Sequence, residues 1–312
     1  MIEKDITINS YGNRLSGTVC LPDDKGRFPL VIMVHGSGPL DRDENMKGQQ
    51  LNIFNTVAHY LAYEGIASLR YDKRGCGKSS GDYYTTGHLD LVNDSVSWFD
   101  TLRQLDFCES ERIFVLGHSE GCIIAPQMST IRPSVAGLVL LCPFIDDMES
   151  ILIKQALRLQ QDFDALPGVS GRIRRFLSRM MGATVRSQQK LIDKIKSSNK
   201  DSFSFGFQKV PAKWLRELIR LEPRAIFSQV TCPMLLIGGE KDLQCDPDDV
   251  NRIAKLTGGM VNSHVIKNLT HVLRFDEQQP SLLNSAELIK KPMEPSLLEL
   301  IGEWFKKQGC IQ

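Results

Sequence analysis

Three observations predict an α/β fold with a mostly parallel central sheet, flanking helices and a helical insertion. Short runs rich in β-branched residues alternate with longer helix-period segments. One of those runs, Leu30 to Val34, is apolar at every position, as expected for a strand covered on both faces. Between about residues 145 and 221 the alternation stops and only helical periodicity remains.

Ile6-Thr7-Ile8 and Leu15 to Leu21 read as an opening pair of strands, with polar residues set between apolar ones. The Leu30 to Val34 strand runs out at Gly36. Ile53, Val57 and Leu61 stand at helical spacing within 52–64, and Gly65 stops that helix. Then follow a strand over 66–71, a helix over 88–104, a strand over 113–116, a helix over 121–129 and a strand over 135–141. Such repeated strand–helix–strand units imply parallel pairing. The helix-period block contains no convincing strand. Strands resume at Met234 to Ile237, followed by a helix near 246–256 and a short strand around Val265. A last amphipathic helix over 295–307 carries Leu297, Leu300, Ile301 and Trp304 on one face. This organisation predicts a core made of residues 1–144 and 222–312, with 145–221 inserted as a helical cap.

Composition agrees with one globular unit. The chain has 312 residues, 42% hydrophobic and 24% charged, enough to bury a large core. A net charge of +1 excludes the strong basic excess of a nucleic-acid binder. No stretch reaches the roughly 18 apolar residues of a membrane span, and the amino terminus lacks the apolar run of a signal peptide. The eight cysteines form no C-x-x-C pair and suit a reducing compartment, so the expected location is cytoplasmic. No sequence feature specifies an oligomeric state.

Gly117-His118-Ser119-Glu120-Gly121 fits the pattern G-x-S-x-G, directly after one predicted buried strand and directly before a helix. A serine on that turn projects its hydroxyl above the sheet, while the glycines let strand and helix approach closely. Ser119 is therefore the candidate nucleophile. Its partners should follow later in the chain, acid first and histidine second. Asp242, just past the strand Met234 to Ile237, is the candidate acid, with Glu240 as the alternative within the turn. His271, in a loop after the last strand, is the candidate base; His264 falls inside or beside that strand and reads as structural. Imidazole titrates near neutrality, so it can take the serine proton and return it to a leaving group. The carboxylate would hold its tautomer.

A tetrahedral intermediate needs two fixed N–H donors. The backbone of Glu120 supplies one, and Ser37, in His35-Gly36-Ser37-Gly38-Pro39, the other. Three further features read more modestly. Tyr71 to Ser79 lacks phosphate-loop spacing and reads as a turn braced by Asp72 and Arg74. Asp41-Arg42-Asp43-Glu44 reads as a charged surface loop closing on the site, since no histidine or cysteine clusters there to make a metal centre. His118 reads as a packing residue.

Together these residues resemble the α/β-hydrolase superfamily over essentially the whole chain. The closer likeness is to bacterial carboxylesterases grouped with serine-aminopeptidase-like hydrolases. It lies in His35 to Glu44, Tyr71 to Gly75, Gly117 to Gly121, Glu240 to Gln244 and Asn268 to His271. The resemblance implies an α/β-hydrolase fold and hydrolysis of carboxylic esters through an acyl-serine intermediate. The implied substrate is a small acyl compound, with no cofactor and no metal. It supports the roles given to Ser119, Asp242 and His271. Cys245 and Val272-Leu273-Arg274 depart from the usual pattern and bear on specificity. A thioesterase or an amide hydrolase could use the same triad, and a non-catalytic binding protein could keep the same fold.

The insertion is where this fold places a lid. Phe163, Phe176, Met180, Met181 and Trp214 are its candidate pocket residues. It is also basic: from Lys154 to Arg220 there are 15 Lys/Arg and five acids, leaving the rest of the chain at −9. Such segregation can steer an anionic ligand or serve as a solvated face.

Overall fold

The computed structural model describes residues 1–206, 208–258 and 260–311. The chain opens with β1 (Ile2–Ser10), β2 (Asn13–Leu21) and β3 (Phe28–Val34), then α1 (Ile53–Tyr63) and β4 (Ala67–Tyr71). Next come α2 (His88–Leu102), β5 (Cys108–His118), α3 (Gly121–Ile131) and β6 (Gly137–Leu141). The cap region follows as α4 (Met148–Asp164), α5 (Gly168–Met180), α6 (Val185–Ser197), the hairpin β7 (Phe203–Phe205) and β8 (Gln208–Val210), and α7 (Ala212–Ile219). The chain closes with α8 (Pro223–Ser228), β9 (Met234–Gly239), α9 (Asp249–Ala254), β10 (Val261–Ile266), α10 (Ser285–Leu288) and α11 (Pro295–Lys307).

Eight strands form one sheet in the order β1-β2-β4-β3-β5-β6-β9-β10. Pairing is antiparallel from β1 to β2 and from β2 to β4, and parallel across the rest. The predicted strands are present, most of them a few residues longer than their apolar runs. The continuous apolar strands divide their side chains between two cores, because successive residues point to opposite faces. Leu30, Ile32 and Val34 of β3, with Ile113 and Val115 of β5, join the core under α2 and α3. Val31, Met33, Phe114 and Leu116 join the core under α1 and α11. All of these are at most 3% exposed, and each fully buried aliphatic contributes about 1.5–3 kcal/mol. Such strands can sit only in the middle of a covered sheet.

One expectation fails in the cap region. Phe203–Phe205 and Gln208–Val210 pair as two short antiparallel strands, where the periodicity predicts only helix. Each strand has three residues, too few for a period-2 pattern to stand out beside the helical segments around it.

Register places the site. Val34 pairs with Gly117, His118 with Leu141, and Leu141 with Ile237. The carboxyl ends of β3, β5, β6 and β9 therefore lie along one rim, where ligands bind in open α/β sheets. Among the described residues no helix is long and apolar enough to cross a membrane.

Candidate active site

Strand β5 turns into α3 at Ser119, which adopts a left-handed φ of 52° and donates its N–H to Leu141 O at 3.0 Å. This conformation is costly for a residue with a Cβ, and the packing around the turn enforces it. A Cβ at Gly117 would come within 2.3 Å of Gly121 O, and one at Gly121 within 2.0 Å of Val34 O. Both flanking glycines are thus required by the close approach of helix to strand.

The structure brings together the three residues named from the sequence. Ser119 Oγ lies 3.1 Å from His271 Nε2, and His271 Nδ1 donates to Asp242 Oδ2 at 2.8 Å. The other carboxylate oxygen accepts the backbone N–H of Gln244 at 2.8 Å and of Cys245 at 2.9 Å. Burial alone would raise the Asp242 carboxyl, but His271 and these amides hold it below its ordinary value. It is therefore an ionised acceptor, and it fixes His271 with the proton on Nδ1 and a free lone pair facing the serine. The alternatives lie elsewhere. Glu240 is exposed and accepts the Asn268 N–H at 2.9 Å, and His264 is exposed on edge strand β10.

The two expected oxyanion donors, Ser37 and Glu120, are aimed by neighbouring groups. A trans peptide points its N–H opposite to its C=O. Ser119 O accepts the N–H of Cys122 at 2.9 Å, so the next N–H, that of Glu120, turns away from the helix. Gly36 O accepts from Lys73 Nζ, so the Ser37 N–H turns away from that buried ammonium. The N–H of Gly36 itself donates to Glu44 Oε1 at 2.6 Å. A Cβ on Gly36 would stand 3.3 Å from Ser119 Cβ, which puts this loop directly against the nucleophile.

Two buried acids were not assigned these places from the sequence. Glu44 is 1% exposed and bonds His118 Nδ1 at 2.7 Å, while His118 Nε2 donates to the carbonyl of His271 at 3.0 Å. Both ring nitrogens face acceptors, so the ring is held as a cation. Burial opposes that charge, but Glu44 raises the His118 value above the ordinary one. His118 is thus a cationic brace between the oxyanion loop and the loop of His271, as well as a packed residue. The side chain of Glu120, also 1% exposed, accepts from Trp214 Nε1 at 2.5 Å and His88 Nδ1 at 3.2 Å, with Lys73 Nζ at 3.5 Å. This ties helix α7 of the cap region to the residue beside the nucleophile.

Two details differ from expectation. The stretch Asp41 to Glu44 closes on the site, with Glu44 on the Ser119 cavity, but it is half-buried and not a surface loop throughout. Arg42 pairs with Asp72 at 2.7 Å, Asp43 with Arg70, and Glu44 with His118. Asp41 instead accepts the backbone N–H groups of Asp43 and Asn45, both at 2.9 Å, so each of the four charges has a polar partner as it leaves water. With Asp72 engaged by Arg42, Arg74 turns instead to Asp94 at 2.5 Å.

The serine opens into a cavity of about 370 Å³. Trp214 lines it, as expected, but Phe163, Phe176, Met180 and Met181 do not. The wall facing Ser119 is helix α4, through Met148, Ile151, Leu152 and Gln155, with Phe144 just before it. Phe163 lies in the last turn of α4, beyond the residues that face Ser119, and α5 turns its apolar side outward: Phe176, Met180 and the following Met181 are 65–77% exposed. Cys245 and Val272 do line the cavity, and Cys245 also holds Asp242 through its N–H. Arg274 is buried and donates to the carbonyl of Lys291 at 2.8 Å and to that of Leu51, which fastens the His271 loop.

The chain is similar to known proteins over nearly its whole length. A profile of the serine aminopeptidase S33 family matches residues 46–278. Esterase EstD of Thermotoga maritima is 28% identical over 310 residues, covering 98% of this chain and 68% of that protein. Among solved structures, DcsB in complex with its substrate analogue superposes with a TM-score of 0.67 at 14% identity, covering 98% of this chain and 99% of the other. The Pyrococcus furiosus esterase Pf2001 gives 0.63 at 19% identity, covering 98% and 91%. Est1E of Butyrivibrio proteoclasticus with ferulic acid bound gives 0.60 at 18%, covering 95% and 99%. The chain belongs to the serine aminopeptidase S33 family and is a serine hydrolase of the α/β-hydrolase fold, related to bacterial carboxylesterases.

Proposed function

We propose that this enzyme hydrolyses carboxylic esters of small to medium acyl groups through an acyl-Ser119 intermediate. His271 takes the Ser119 proton as Oγ adds to the acyl carbon, and Asp242 stabilises the imidazolium that results. The N–H groups of Ser37 and Glu120 receive the oxyanion. Collapse expels the alcohol, protonated by His271, and water then releases the acid by the same steps in reverse order. Residues 145–221 act as the cap over this reaction, and the chemistry calls for no cofactor.

The observation that carries the reading is the hydrogen-bonded line from Ser119 to His271 to Asp242, opening on an apolar wall. Preference for esters over the aminopeptidase reaction in the family's name rests on charge. An aminopeptidase must hold a substrate ammonium. The two carboxylates lining the cavity, Glu44 and Glu120, are already bonded to His118 and Gly36 and to Trp214 and His88. Esterase EstD of Thermotoga maritima, similar across nearly the whole chain, points the same way.

A rate panel tests this, comparing p-nitrophenyl esters, acyl-CoA thioesters and aminoacyl p-nitroanilides with wild-type and Ser119→Ala protein. The expected order has esters with the highest kcat/KM. Faster cleavage of the anilides would replace esterase with peptidase, and faster cleavage of acyl-CoA with thioesterase.

A further inference from the structure

Helix α5 presents its apolar side to the solvent. Val169, Ile173, Phe176, Leu177, Met180 and Met181 are each 49–77% exposed. At 3.6 residues per turn they share an arc of about 140°. The side turned inward is made of small residues, Gly171 and Ser178, both buried. Gly171 sits so close to the preceding segment that a Cβ there would lie 2.4 Å from Leu166 O. Arg172 and Arg179 border the apolar arc on one margin and Arg174 on the other, with Arg179 also paired to Asp164 at 3.0 Å. From Ala165 to Ile192 the sequence has six Lys/Arg and no acid. An ordinary surface helix turns its apolar stripe to the core and its charges to water. Here the stripe faces out, rimmed by guanidinium groups.

We propose that α5 is an interfacial helix that seats the cap on an anionic lipid surface. A helix of this composition lies in the plane of a membrane interface, with its apolar side chains among the acyl chains and its cations at the headgroups. Charge selects this occupant over a second copy of the chain, because two such faces brought together would oppose their arginine rims with only Asp164, already paired with Arg179, to offset them. Placement gives the docking a use that rests on the esterase reading. A second cavity of about 340 Å³ begins at Gly182 to Thr184, immediately after the exposed Met180 and Met181. It is lined by Leu152, Ala156 and Leu159 of α4 and shares Leu152, Gln155 and Gln244 with the cavity at Ser119. An amphiphilic ester leaving the surface at the carboxyl end of α5 meets a partly apolar space that borders the cavity at the nucleophile.

Vesicle flotation of the full chain carrying Ser119→Ala reads docking independently of turnover. Vesicles of phosphatidylglycerol and phosphatidylcholine should carry the protein, and vesicles of phosphatidylcholine alone should carry at least roughly tenfold less, with release by high salt. Arg172→Gln/Arg174→Gln/Arg179→Gln should weaken partitioning by roughly a hundredfold. Ile173→Ser/Phe176→Ser/Met180→Ser should abolish it. In chains that keep Ser119, both triple variants should hydrolyse soluble p-nitrophenyl acetate at the wild-type rate. Absence of binding, equal binding to both vesicle types, or binding unchanged in the variants overturns the proposal. So does a solution dimer that the Ser triple variant dissociates without any vesicle binding. Loss of soluble ester hydrolysis in the unmutated chain would instead sink the esterase reading and leave the flotation result standing.

Discussion

Ser119 stands between two walls built in different ways. The sheet-rim wall is polar, and each of its buried carboxylates is bonded to partners: Glu44 to His118, Asp242 to His271, Glu120 to Lys73 and His88. The cap wall is aliphatic, with Met148, Ile151 and Leu152 of α4, and joins the rim through single polar links such as Trp214 to Glu120 and Gln155 to the Gln244 carbonyl at 3.0 Å. Fixed dipoles stabilise developing charge without reorganising, so the rim suits the transition state. Apolar surface binds ground state and transition state alike, so the cap wall suits substrate affinity. Substitutions on the rim should therefore lower kcat, and substitutions on the cap should move KM.

The largest effect is expected at Asp242. Asp242→Asn keeps the shape but removes the charge that holds the Nδ1–H tautomer, and should lower kcat about ten-thousand-fold in a p-nitrophenyl ester assay. A loss below about tenfold would mean that the carboxylate is not the orienting group.

Glu44→Gln comes next. It weakens the hold on both Gly36 and His118, and should lower kcat about 10–100-fold with KM nearly unchanged. Leaving the His118 cation unmatched should also destabilise the fold by about 3 kcal/mol or more, read as a lower denaturant midpoint. A KM change with kcat intact would move Glu44 to the substrate-binding side of the comparison.

The same pair makes stability depend on pH with a definite sign. Burial opposes ionised Glu44, but His118 and the Gly36 N–H hold its folded value below the unfolded one. Its contribution is present above about pH 4 and is lost as pH falls through that lowered value. His118 is raised, so its contribution is present below about pH 6.5 and is lost as pH rises through the raised value. The Tm difference between wild type and His118→Gln should therefore be largest between about pH 4.5 and 6.5 and shrink on either side. A difference that stays flat from acid to alkaline pH would contradict the ion pair.

The smallest effect is expected across the walls. Trp214→Phe removes the link to Glu120 while keeping an aromatic body, and should raise KM about three- to tenfold with little change in kcat. A larger fall in kcat than in affinity would show that the cap helps to aim the Glu120 N–H.

The two walls also differed in how far the sequence disclosed them. Rim strands were readable because burial on both faces leaves uninterrupted apolar runs such as Leu30 to Val34. Ser119, Asp242 and His271 were readable because the turn after each strand fixes where they lie. Glu44 was legible only as one acid in a charged run. Composition does not distinguish a solvated acid from a buried one whose partner, His118, is 74 residues away. The cap is less legible for a related reason. Periodicity shows that α5 has an apolar side but not which way that side faces, so it points Phe176, Met180 and Met181 at the pocket, whereas they lie outside it. Gly171 and Ser178 carried the missing signal, since small residues seven apart mark the side that packs closely.

The central claim is that the Ser119 oxygen is the atom that becomes acylated. Labelling with a fluorophosphonate, followed by peptide mass spectrometry, measures it directly. The expected result is one adduct, on the peptide containing Gly117 to Gly121, with ester hydrolysis lost in step and no labelling of Ser119→Ala. An active enzyme that stays unlabelled at Ser119, or a Ser119→Ala protein that still hydrolyses esters at the wild-type rate, would contradict the account.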